Sequence, residues 1–238
     1  MSHSAAAFPP TRWSLVAAAR NAEVRRAALE ELCRLYWPPL YAFARRSGIP
    51  RPDAEDATQA FFAAILNDAT LEAAAAVHGR LRSYLLASFS HDLIDARRRE
   101  KAERRGGRVQ MVALDGGSLE AHLEIPSPAS PEAQFDRDWA ICVLREAVNA
   151  VAEAWTAAGR GADFERLRVF LSPEGDPPTY ESLSAETGQS VEALRQNVSR
   201  LRAQFRTALR QTVADTLVQA SPERVDSELE ALRSALAL

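Results

Sequence analysis

The sequence predicts an all-α fold: two helical domains joined by a flexible linker, the second domain carrying a helix-turn-helix. Three observations carry this reading. Apolar residues recur at three- and four-residue steps along nearly the whole chain, and runs of strict alternation are missing. Ala, Leu, Arg and Glu, all strong helix formers, dominate the composition. The periodicity lapses once, in the Gly- and Pro-rich stretch GGRVQMVALDGGSLEAHLEIPSPASPEAQF. A lapse of that length is rare inside one compact domain, so it reads as a boundary. The expected division is a helical domain over 1–105, a linker over 106–135, a second domain over 136–215 and a helical tail over 216–238.

In the first domain Leu29, Leu32, Cys33, Tyr36, Leu40 and Phe43 trace one helical stripe, interrupted at Trp37-Pro38-Pro39, where proline kinks or restarts a helix. SGIPRPDAED then reads as a loop and a helix start. Asp53 is the expected N-cap, with Glu55 and Asp56 in a first turn where the helix dipole favours negative charge. Ala54, Ala57, Phe61 and Ile65 share one face of that helix; Asp53, Glu55, Asp56 and Gln59 occupy the rest. Thr58 lies between the two faces and is a candidate modification point by location alone. A third pattern places Leu81, Leu85, Phe89 and Ala96 on a stripe that fades into an almost purely charged end.

The second domain resumes with DRDWAICVLREAVNAVAEAWTAAG and reaches YESLSAETGQSVEALRQNVSRLRAQFR. Tyr180 to Thr187 is one helix and Val191 onward another, joined at Gly188 and capped by Ser190, which is helix-turn-helix spacing. Ser184, Gly188 and Leu194 take the places of the small crossing residue, the turn glycine and the apolar residue that reaches back to the core. Leu194, Val198, Leu201, Phe205 and Leu209 fall in one sector of the second helix. Ser190, Glu192, Arg195, Gln196, Ser199, Arg200, Arg202 and Arg206 are left for the wet side.

Charge sorting points the same way. The net charge is only −3, yet five arginines and no acid lie between Ala193 and Ala214, and a second basic run spans Arg80 to Arg108. Two basic patches on a mildly acidic chain suggest a polyanion touched at two places. If the second helix enters a major groove, Glu192, Arg195, Gln196, Ser199 and Arg200 reach base edges, and Arg202 and Arg206 sit nearer phosphates.

Other classes find little support. Cys33 and Cys142 stand far apart without a second ligand at metal spacing, and the four histidines are scattered, so no metal, cofactor or catalytic constellation is expected. Apolar runs are too short for a membrane span, and the first twenty residues lack a secretory pattern, so a cytoplasmic protein is expected.

Taken in order, these segments resemble an extracytoplasmic-function (ECF) sigma factor, the minimal two-domain member of the sigma-70 family of bacterial transcription initiation factors. LCRLYWPPLYAFARRSGIPRPDAEDATQAFFAAIL is similar to the block whose Asp-Ala-Glu-Asp helix binds the β′ coiled coil of RNA polymerase, which makes Asp53, Glu55, Asp56 and Gln59 the polymerase-facing surface. TRWSLVAAAR and the C-terminal tail resemble a subgroup of these factors. LRSYLLASFSHDLIDARRRE looks like the block that captures the minus-ten element as single strand. The resemblance assigns Tyr84, Phe89 and His91 to a base pocket and Arg97, Arg98 and Arg99 to the backbone, whereas Tyr84 and Phe89 taken singly read better as core packing. The linker resembles the segment that traverses the polymerase cleft. The implied partners are RNA polymerase core through its β′ and β subunits, promoter DNA and an inhibitory anti-sigma protein; no catalysis is implied. The competing class is a stand-alone helix-turn-helix regulator with an N-terminal sensing or dimerisation domain.

Overall fold

The computed structural model describes residues 22–67, 81–104, 129–171, 177–217 and 220–237, and there the chain is all-helical. The described helices are α1 (Ala22–Arg46), α2 (Arg51–Asn67), α3 (Leu81–Arg104), α4 (Pro131–Ala157), α5 (Gly161–Leu167), α6 (Tyr180–Thr187), α7 (Val191–Asp215) and α8 (Pro222–Leu236). A 3-10 turn over Arg168–Leu171 follows α5. No helix among the described residues is long and apolar enough to cross a membrane. TRWSLVAAAR and the linker over 106–128 lie outside the described residues.

Contacts group the chain into two compact units, one of Met1–Cys142 with Ala214–Leu238, the other of Val143–Val213. This differs from the expected division at two places. Helix α4 starts at Pro131, inside the stretch read as linker, because Ser130 caps it, accepting from the Ala133 amide at 3.2 Å, and proline is tolerated in a first turn. Phe135 and Trp139 then pack with the first unit, as does the tail helix α8.

Helices α1, α2 and α3 touch pairwise. Helix α1 runs unbroken through Pro38 and Pro39 instead of restarting there. The prolines forgo two backbone donors, but Leu35, Tyr36, Leu40, Tyr41 and Phe43 are all buried around them, and tertiary packing overrides the local preference. Helix α2 starts at Arg51, one turn earlier than expected: the Ala54 amide donates to the Pro50 carbonyl at 2.9 Å, so Asp53 lies in the first turn instead of capping it. Pro52 suits that turn, since its missing N–H would have had no helical acceptor. Thr58 is fully buried and donates to the Ala54 carbonyl at 2.7 Å, which removes it as an accessible modification point.

Helix α8 is capped by Ser221, whose hydroxyl accepts from the Arg224 amide, and it buries Val225, Glu228, Leu232 and Ala235 on one stripe. The carboxylate in that stripe meets Arg82 of α3 at 2.9 Å, with the two side chains 2% and 7% exposed respectively. Asp136 of α4 lies 3.3 Å from the same guanidinium, and the Trp139 ring lies 4.6 Å from its carbon. One arginine thereby ties α3, α4 and α8. Arg46 of α1 pairs with Asp138 of α4.

Tyr36 is fully buried next to Trp139 and Thr216, and its hydroxyl is not aligned for a hydrogen bond with either. Burial pushes its pKa well above the ordinary tyrosine value, with the Glu228 carboxylate acting the same way. Because the folded pKa is raised, Tyr36 supports folding fully below about pH 10 and progressively less as pH climbs beyond it. Tyr36→Phe is therefore expected to leave stability at pH 7 unchanged or higher. Denaturation followed from pH 7 to 11 is expected to show a shallower alkaline loss than in the parent chain.

Candidate nucleic-acid interface

The unit over Val143–Val213 closes around one core, built from Val151 and Trp155 of α4, Phe164, Leu167 and Phe170 of α5 and its 3-10 turn, Leu183 of α6, and Leu194, Val198 and Leu201 of α7. Trp155 meets Phe164 edge-on at 6.3 Å and donates its indole N–H to Gln204 at 2.6 Å. Gly159, at φ 72°, turns the chain out of α4; Arg160 then stacks 4.3 Å over Trp155 and donates to Asn197 at 3.1 Å.

The α6 to α7 connection is set by short-range chemistry. The Thr179 hydroxyl caps α6 by accepting from the Ser182 amide at 3.1 Å. Gly188, at φ 69°, ends that helix in the left-handed region, where a Cβ would be strained whatever the space. Ser184 donates to the Gln189 carbonyl at 2.7 Å, and Asn197 donates to the Gln189 side chain at 3.2 Å. Ser190 caps α7, accepting from the Ala193 amide at 3.2 Å. Thr187 and Gln189, polar where a turn could have been apolar, are both used in hydrogen bonds that shape it.

Leu194, Val198 and Leu201 are buried, Phe205 and Leu209 half-buried, and Glu192, Arg195, Gln196, Ser199, Arg200, Arg202 and Arg206 exposed. These polar side chains are not equivalent. Gln196 donates to Glu192 at 3.3 Å within the helix, and Ser190 is spent on its cap. Arg202, expected near phosphates, instead donates through Nε and Nη2 to the Phe170 carbonyl, both at 3.2 Å, and so holds the 3-10 turn against α7. Arg195 lies 5.6 Å from the Tyr180 ring, and that ring stacks on Phe170 at 5.3 Å and 7°. Sequence reading missed Tyr180 as part of this face; its only signal was an aromatic residue opening the short helix before the turn.

The acidic helix behaves as its periodicity implied. Asp53, Glu55, Asp56 and Gln59 are exposed, Ala54, Phe61 and Ile65 are buried, and Glu55 pairs with Arg51 at 2.9 Å.

Of the residues expected to capture single strand, one lies in the core. Phe89 is fully buried, 5.0 Å from Phe61, and offers no face to a base; it is a core side chain. Burying a side chain of that size stabilises by roughly 1.5–3 kcal/mol, which a base-stacking role would forfeit. Tyr84 is half-buried, whereas His91 and Arg98 are exposed, with Arg98 3.6 Å from Asp95. The side chains of Arg97 and Arg99 lie outside the described residues. Of the cysteines, Cys142 is buried and Cys33 half-buried, and burial with the Glu30 carboxylate raises the Cys33 thiol pKa.

No protein-family model, curated protein or solved structure matches this chain.

Proposed function

We propose that the chain is an alternative sigma factor of the extracytoplasmic-function type, which directs RNA polymerase core enzyme to specific promoters. The carrying observation is the exposed side of α7, where Arg195, Ser199, Arg200 and Arg206 project opposite the buried Leu194, Val198 and Leu201. A helix held on one side by a core and bearing arginines on the other is suited to a major groove, where arginine pairs with guanine and phosphates supply the non-specific attraction. In this reading α6, the turn at Gly188 and α7 form a helix-turn-helix for the minus-thirty-five element. The exposed acids of α2 support the second half of the proposal, since a basic partner helix would select such a surface. No step of this function requires catalysis, a metal or a cofactor. The location it requires is the cytoplasm.

Retention of core polymerase by the immobilised full chain tests the reading. The parent chain is expected to retain polymerase, and simultaneous charge reversal of Asp53, Glu55 and Asp56 to lower retention at least ten-fold, which corresponds to about 1.4 kcal/mol or more. A variant that loses retention while its duplex binding persists separates the two surfaces. Duplex binding with no retention by the parent chain would favour a stand-alone regulator and reject the sigma-factor reading.

A further inference from the structure

We propose that Tyr180 is a positioning residue for Arg195, and that Arg195 is the guanine-reading arginine of α7 while Arg202 is structural. The inference rests on the DNA-binding reading and assigns unequal roles within it. Four residues form a closed path: Arg202 holds the Phe170 carbonyl with two donors, Phe170 stacks on Tyr180, and Tyr180 lies under Arg195. Arg195 and Arg202 are seven residues apart, two turns along one face of α7.

The consequence follows from guanidinium chemistry. Arg202 has its Nε hydrogen and one Nη2 hydrogen committed to the Phe170 carbonyl, which spends the side-on edge of its guanidinium and pins the group to the 3-10 turn. The Arg195 guanidinium carbon lies over the Tyr180 ring at 5.6 Å, and among the described residues none of its N–H groups is given to an acceptor, which leaves them for the O6 and N7 atoms of guanine. A flexible arginine would lose rotamer freedom on binding; one already resting on a ring has less to lose. Tyr180 thereby raises selectivity for guanine at one position without itself touching a base. Among the described residues neither Arg200 nor Arg206 has such a ring beneath it.

The test uses the full chain, duplexes that it selects from a randomised pool, and an unselected duplex as reference. The parent chain is expected to select duplexes with a guanine at one position, and Arg195→Ala to lose that preference. Tyr180→Leu is expected to lower the guanine preference about two- to five-fold, the equivalent of an exposed cation–π contact, with unchanged salt dependence and unchanged binding to the reference duplex. Tyr180→Phe keeps the ring and is expected to restore the preference. An upfield ring-current shift of the Arg195 side-chain δ protons in the free parent chain reads the stack without any substitution. Absence of that shift, or a Tyr180→Leu chain that keeps the full guanine preference while Arg195→Ala loses it, overturns the positioning role and leaves DNA binding standing. No selected sequence at all, or guanine preference that survives Arg195→Ala, overturns the assignment of Arg195. Only the former also rejects sequence-specific DNA binding.

Discussion

Glu228→Ala is expected to lower the stability of the unit containing α8 by on the order of 3 kcal/mol, the low end for breaking a buried ion pair. The reason is the charge left behind. Arg82 is almost wholly buried, and its close carboxylate partner at 2.9 Å would be gone, with only the more exposed Asp136 at 3.3 Å remaining. Glu228→Gln keeps an acceptor for the guanidinium and should cost less. The double change Arg82→Met with Glu228→Leu removes both charges and should recover most of the loss, since an apolar pair of similar volume is often no less stable than a buried salt bridge. Urea denaturation of the four chains checks this. A double variant as unstable as Glu228→Ala would mean that the cost arises from packing of α8 and not from the unpaired charge.

The second large effect is expected at Trp155. Trp155→Ala removes a buried ring at the centre of the Val143–Val213 unit and should cost about 3–5 kcal/mol. The ring also receives Arg160 on its face and holds Gln204 of α7 through its N–H, so its loss frees two groups that fix α7. Trp155→Phe retains most of the apolar body but leaves the Gln204 oxygen without its donor, and a loss of roughly 1–3 kcal/mol follows from the unmade hydrogen bond and reduced volume. Duplex binding should fall in the same order as stability although none of the exposed arginines has changed. Denaturant titration alongside anisotropy of a labelled duplex separates the two: binding that survives in Trp155→Ala at full strength would detach the arginine face from this core.

Much of the candidate interface was legible in the sequence because it depends on local spacing. A helical repeat places Leu194, Val198 and Leu201 on one side and the arginines on the other whatever else the chain does, and Gly188 reports the left-handed turn through its own conformational freedom. The exposure of Asp53, Glu55 and Asp56 opposite Phe61 and Ile65 was readable for the same reason. Element starts were harder, since Ser130-Pro131 and Pro50-Arg51-Pro52 serve equally as loop or as first turn, and only the hydrogen bonds to Ser130 and Pro50 decide.

From its own order of residues the chain determined helices, their buried stripes and the sign of charge on their outer faces, all of which are short-range properties. Tertiary structure alone decided that Glu228 meets Arg82, that Phe135 and Trp139 pack with the first unit, and that Arg202 is tied down while Arg195 rests on Tyr180. Periodicity states which side of a helix avoids water. It carries no information on which distant side chain fills the space beyond that side, because such partners are chosen by shape and charge in three dimensions.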